Sequence, residues 1–163
     1  MKKGMKVLDK FEEIVLILLM VAMTISVVTQ VFSRTVLNVS PSWTEEVARY
    51  MLVWITFIGA SLGVKRGAHM GVEAFTMILP KKVQKIVQAV TLLICAGFTA
   101  VTCVNSISIL QLQMATGQVS AAIQLPMWIP YSGVTIGMLL MTIRFLETFV
   151  NTVKNPEEVG GGN

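Results

Sequence analysis

Residues able to do chemistry are few in this chain, and their spacing decides which chemistry is open to them. His69 is the single histidine, which excludes a haem site with paired histidine ligands inside one chain and argues against a metal site. Cys95 and Cys103 are eight positions apart on one expected helix. That is about 12 Å along the axis, beyond the ~7 Å Cα separation a disulfide tolerates, so they read as two buried thiols. One ordered constellation remains: Trp43-Thr44-Glu45-Glu46, then Arg49-Tyr50, then an apolar run to Leu62 and the basic pair Lys65-Arg66. Glu45 and Glu46 stand four and three residues before Arg49. That order suits helical ion pairing, and carboxylates are favoured at a helix N-terminus. The cluster can be an interfacial cap and ion pair, or a contact to a partner subunit or lipid headgroup. Neither is catalysis, and no enzyme activity, metal or cofactor is expected of this chain.

The elements that carry these residues follow from hydropathy. Hydrophobic residues are 54% of the chain and charged residues 13%, about half the ~25% of soluble domains. No charge occurs from Ile14 to Ser33 or from Ile86 to Ile143. A bilayer core takes about 20 apolar residues per helix, so the first stretch spans once and the second twice. Tyr50 to Val64 reaches spanning length when extended back through Trp43. The expected fold is an all-α integral membrane protein with four transmembrane helices over residues 12–33, 43–64, 83–112 and 127–149. Residues 1–155 form one domain, followed by a disordered glycine-rich tail at 156–163. The first span is expected to be retained. Its apolar run exceeds the 7–15 residues of a signal-peptide core, and no small-x-small cleavage site follows it.

Local breaks separate the spans. Ser40-Pro41 and Ser42-x-x-Glu45 each offer a start for the second helix, one through proline at the first helical position and one through a capping box. Leu79-Pro80-Lys81-Lys82 opens the third. The polar stretch Gln111 to Gln124 turns at Gly117, and Pro126 and Pro130 open the fourth, where a missing N–H costs little. Of thirteen cationic residues all but Arg34 and Arg49 fall on one side of this arrangement. The positive-inside rule makes that side cytoplasmic, with both termini inside. Between the second and third spans, His69, Glu73 and Thr76 share one helical stripe and Val72, Phe75, Ile78 and Leu79 another. That pattern predicts a short amphipathic helix on the cytoplasmic membrane surface, beside basic residues suited to anionic lipid.

No Asp, Glu, Lys or Arg is expected mid-membrane, where ion- or proton-coupled carriers place such groups. Packing signals are plentiful instead. Gly59-x-x-x-Gly63 and Gly133-x-x-x-Gly137 allow close backbone approach, either within this chain or against another subunit. Thr24, Ser26, Thr29 and Gln30 in the first span, and Asn105, Ser106, Ser108 and Gln111 in the third, suit contact with a partner helix more than a pore. Trp43 and Trp128 fit an aromatic belt at the outer boundary. Trp54, in mid-span, is expected against a neighbouring helix.

The run Trp43-Thr44-Glu45-Glu46-x-x-Arg49-Tyr50-x-x-x-Trp54, then Phe57-x-Gly59-Ala60, Lys65-Arg66-Gly67-x-His69-x-x-Val72 and Leu79-Pro80, resembles the signature of one family. It is that of the small membrane subunit (DctQ-type, or Q subunit) of tripartite ATP-independent periplasmic (TRAP) transporters. A second block, from Ser120 through Pro126-Met127-Trp128 to Tyr131 and Gly137, resembles it more weakly. Gln124 stands where glycine is common, and Thr135 where proline is. The resemblance implies a bacterial inner-membrane subunit that steadies the scaffold of a large membrane subunit. That partner would carry the substrate and the sodium coupling, and a periplasmic binding protein would deliver an organic acid of the C4-dicarboxylate or sialic acid class. It further implies that Trp43, Glu45, Glu46, Arg49 and Trp54 contact the partner or lipid, and that Arg66 and His69 hold the cytoplasmic connection. Gly59, Gly63 and Trp128 join them as interface candidates from the packing argument. Partners are therefore membrane lipids and protein subunits, not nucleic acid. Without the resemblance, two other classes stay open: a self-contained homo-oligomeric small multidrug-type exporter, with Glu12 and Glu13 its nearest approach to a coupling acid, or an assembly subunit of another membrane complex.

Overall fold

Backbone groups in hydrocarbon must find hydrogen-bond partners within their own segment, so apolar runs of this length fold as helices. The computed structural model describes residues 2–39, 41–65 and 80–154. Four helices occupy them: α1 (Lys2–Val36), α2 (Ser42–Lys65), α3 (Lys81–Thr116) and α4 (Trp128–Lys154). Each is long and apolar enough to cross a membrane. At 35 and 36 residues, α1 and α3 run about 50 Å at 1.5 Å per residue, beyond a ~30 Å hydrocarbon core. The amphipathic helix expected over 67–79 and the tail 156–163 lie outside the described residues.

Short-range chemistry sets the helix ends. Asn38 takes the left-handed conformation, φ +52°, and ends α1, with the Val39 N–H returning to the Ser33 carbonyl at 3.2 Å. Asparagine tolerates that region better than most residues. At the start of α2 the Pro41 carbonyl accepts from the Thr44 N–H at 3.3 Å and from its hydroxyl at 2.8 Å. Pro80 precedes α3 with φ −56° and ψ 142°, the extended geometry usual for a residue flanking a helix start. Gly117, φ +62°, closes α3. Pro130 sits in the first turn of α4, where no intrahelical donor is lost.

Extensive contacts run from α1 to α2, from α2 to α4, and from α4 to α3. The order in space is therefore α1–α2–α4–α3, a row with α1 and α3 at its edges. The innermost apolar cluster, Val64, Leu92, Ala96 and Phe145, ties α2, α3 and α4 together, with Cys95, Met141 and Phe149 against it. Polar contacts cross the α3–α4 seam where the Thr142 and Thr99 hydroxyls meet at 3.0 Å and where the Cys103 thiol donates to the Thr135 carbonyl at 3.8 Å. The outward faces of the edge helices are apolar and open, as at Ile17 and Val28 on α1 and Ile94 and Phe98 on α3. Ser26 and Ser106 bond back to carbonyls of their own helices at 3.0 and 2.8 Å, and so do Thr24 and Asn105 at 2.8 and 3.0 Å. Each thus gives one donor to its own helix.

Candidate functional site

The ordered cluster at the start of α2 divides between two faces of the helix. Glu45 and Arg49 point outward and pair at 3.0 Å, with side chains 63% and 67% exposed. Trp43, two positions before Glu45, is exposed as well. Glu46 and Tyr50, one position further round, turn the other way. Glu46 accepts a short hydrogen bond from the Tyr50 hydroxyl, and its second oxygen accepts from the backbone N–H groups of Ala122 and Ile123 at 2.9 and 3.3 Å. Glu46 pairs therefore with the loop before α4, while Arg49 takes Glu45 alone of the two acids.

That loop is a small hairpin. The Ser120 N–H donates to the Leu125 carbonyl at 2.8 Å and the Met127 N–H to Gln118 at 2.9 Å. Ser120 is buried, and its hydroxyl accepts from the Ile123 N–H at 3.3 Å. Gln124 adopts φ +56°, the left-handed region that favours glycine. The tight turn is thus kept where the resemblance calls for glycine, at a conformational cost of about 1–2 kcal/mol for a side chain. The Tyr50 hydroxyl also lies 3.6 Å from Met127 Sδ. One carboxylate, one phenol and one buried serine therefore hold the turn against α2, with Trp128 exposed at the start of α4.

Further along α2, the glycine pairs take different roles. The indole of Trp54 lies on Gly133 so closely that a Cβ there would come within 3.0 Å of it. A Cβ on Gly137 would overlap that of Phe57 and lie 2.8 Å from the Phe57 carbonyl carbon. Gly133 and Gly137 therefore set the α2–α4 approach inside this chain. Gly59 meets α1 more loosely, with 3.9 Å between its would-be Cβ and Leu16 Cδ2. Beside it an open groove of about 540 Å³ is lined by Glu13, Leu16, Ile17, Gly59, Leu62 and Gly63. Arg66 and His69 lie outside the described residues.

Near the other end of the helix axes stands a cluster that spacing rules did not single out. Arg144 of α4 reaches across to α1, and one of its nitrogens donates to Asp9 at 2.9 Å and to Glu12 at 2.7 Å. The three side chains are 7%, 16% and 5% exposed. The signal was present: Arg144 falls inside the expected fourth span, and an intramembrane arginine calls for an acidic partner. Asp9 and Glu12, three positions apart at the edge of the first span, are such partners. Cys95 and Cys103 are free thiols, and no group of three or more metal-binding side chains occurs among the described residues.

What these features define is a multi-pass helical membrane protein whose polar residues are engaged in bracing helices and a turn. The family described as "Tripartite ATP-independent periplasmic transporters, DctQ component" matches residues 23–155, most of the chain. The chain belongs to this DctQ family, which is a transporter permease family and not an enzyme family. The C4-dicarboxylate TRAP transporter small permease protein DctQ of Vibrio cholerae is 29% identical over 161 residues, covering 85% of this chain and 69% of that protein. The sialic acid TRAP transporter small permease protein SiaQ of the same organism is 27% identical over 155 residues, covering 91% and 85%. The isethionate TRAP transporter permease protein DctMQ of Oleidesulfovibrio alaskensis is 28% identical over 112 residues, 69% of this chain but 18% of that longer protein.

Proposed function

We propose that this chain is the small permease subunit that widens and steadies the static scaffold of a large membrane subunit. The complex takes up an organic acid, driven by sodium and delivered by a periplasmic binding protein. The observation that carries this reading is the open row of helices. A row with apolar edges offers broad flat faces to another membrane protein, whereas a closed bundle would bury them. The DctMQ relative, in which the matching region makes up 18% of one longer permease chain, supports a large permease partner. Relatives named for C4-dicarboxylate and sialic acid support those substrate classes. Sodium coupling is assigned to the large subunit.

In this reading the Lys10–Arg144 end faces the cytoplasm of a bacterial cell, by the charge asymmetry of the sequence, with both termini inside and the membrane the inner one. Trp43, Glu45, Arg49 and Trp128 then lie at the outer boundary as contacts for the large subunit or for lipid. Glu46 and Trp54 keep that surface in shape from behind, Gly59 and Gly63 floor the groove beside α1, and Arg66 and His69 hold the cytoplasmic connection.

Recovery of the chain from its native membranes in mild detergent, with mass spectrometry of what stays attached, tests the reading. A stoichiometric membrane partner with roughly ten or more spans is the expected result. Recovery of the chain with copies of itself alone, active in transport in liposomes, would overturn it in favour of a small exporter. Arg49→Ala sharpens the test, because an exposed i,i+4 pair is worth only about 0.3–0.5 kcal/mol to folding. Insertion should be unchanged while co-purification or uptake falls. Unchanged co-purification together with unchanged uptake would remove Arg49 from the interface.

A further inference from the structure

We propose that Arg144 is the positioning residue that holds α1 in the row, acting as a latch between the first and fourth helices across the end of α2. Three observations carry this. First, α1 is the least embedded element: 6% of its spanning window is buried, against 28%, 22% and 33% for α2, α3 and α4. In lipid, apolar burial gives no drive for helix association, so close packing and polar contacts must supply it. Second, beside the van der Waals contact of Gly59 with Leu16, a groove lined by Leu16, Ile17, Leu62 and Gly63 opens between α1 and α2. Third, the polar contact is strong and placed to act on α1. Asp9 and Glu12 present both carboxylates to one nitrogen of Arg144 at 2.9 and 2.7 Å. The next residue, Phe145, belongs to the buried cluster with Val64, Leu92 and Ala96. The latch is therefore mounted on the rigid part of the row and grips its loosest member.

The geometry makes the latch a single-point contact. The other terminal nitrogen of Arg144, Nη1, and the other carboxylate oxygen of Glu12 are buried without a partner among the described residues. A lysine ammonium, a point charge on a flexible stem, can stand in for one donor nitrogen. Charge at position 144, more than the fork of arginine, is what the site requires.

The test uses the full chain in its native membranes, with Cys95 and Cys103 changed to alanine. A Leu16→Cys/Gly59→Cys pair reports α1 on α2, because a Cβ at 59 would sit 3.9 Å from Leu16 Cδ2. A Thr99→Cys/Thr142→Cys pair reports the α3–α4 seam, where the native hydroxyls are 3.0 Å apart. Arg144→Met should slow oxidative cross-linking of the first pair by roughly tenfold or more and leave the second unchanged, as expected when a buried pair loses one member. Arg144→Lys should stay within about threefold of the parent, and the swap Glu12→Arg/Arg144→Glu should recover most of the rate. An unchanged first rate in Arg144→Met overturns the proposal. So does a parallel fall of both rates that the swap does not recover, since Arg144 would then serve general stability. If Arg144→Met does not accumulate, the swap decides: cross-linking at near-parent rate supports the latch, and failure of the swap overturns it.

Discussion

The three glycines Gly137, Gly133 and Gly59 face different neighbours, and the same substitution should affect them in a fixed order. Alanine at 137 would place a methyl 2.8 Å from the carbonyl carbon of Phe57 and 2.9 Å from its oxygen, and in overlap with its Cβ. Ordinary carbon contacts lie near 3.5–4.0 Å, so α2 and α4 must part locally by roughly 0.7–1.2 Å. The obstacle includes backbone, which has no alternative rotamer. Overpacking of this kind costs about 1–3 kcal/mol, offset by up to ~1 kcal/mol from the better helix propensity of alanine. The net expectation for Gly137→Ala is a loss of about 1–2 kcal/mol, or about 2–8 °C in melting temperature for a chain of this size. At Gly133 the obstacle is the indole of Trp54 at 3.0 Å, a side chain that can tilt, so a smaller loss is expected. At Gly59 the nearest atom is 3.9 Å away. Alanine there should be neutral or stabilising by up to ~1 kcal/mol. Thermal unfolding in mild detergent, followed through tryptophan emission, gives the ranking directly. A Gly137→Ala protein melting at or above the parent, or a Gly59→Ala protein as damaged as it, would refute the packing argument.

Two further outcomes follow from the hairpin before α4. Glu46→Ala removes the acceptor shared by the Ala122 and Ile123 N–H groups, so hydrogen exchange of those two amides should accelerate while mid-helix amides of α3 and α4 keep their protection. Equal rates in parent and variant would show that the hairpin stands without its clamp. Gln124→Gly relieves a left-handed side-chain conformation at φ +56° and should stabilise by up to ~1 kcal/mol, since the strain relieved exceeds the added chain entropy of glycine. A fall in melting temperature would mean that the Gln124 side chain itself holds the turn.

Reading residue by residue, the sequence determined the four spanning helices, because hydropathy and backbone hydrogen bonding act within one segment and are written locally. The ordered run from Trp43 to His69 likewise points to the DctQ family, since a motif is a property of sequence order. Which residue meets which across the row was decided elsewhere. Helical spacing allowed Arg49 to take either Glu45 or Glu46, and the hairpin 76 residues away drew Glu46 to the other face. Arg144 counted in sequence as one more cation near a helix end, and its partners Asp9 and Glu12 lie 135 and 132 residues away. The repeats Gly59-x-x-x-Gly63 and Gly133-x-x-x-Gly137 look alike on paper, yet one floors an open groove and the other seats Trp54 and Phe57. In lipid the apolar faces of helices are nearly interchangeable, so shape and a few polar contacts choose the neighbours. Those contacts exist only once distant segments have been brought together.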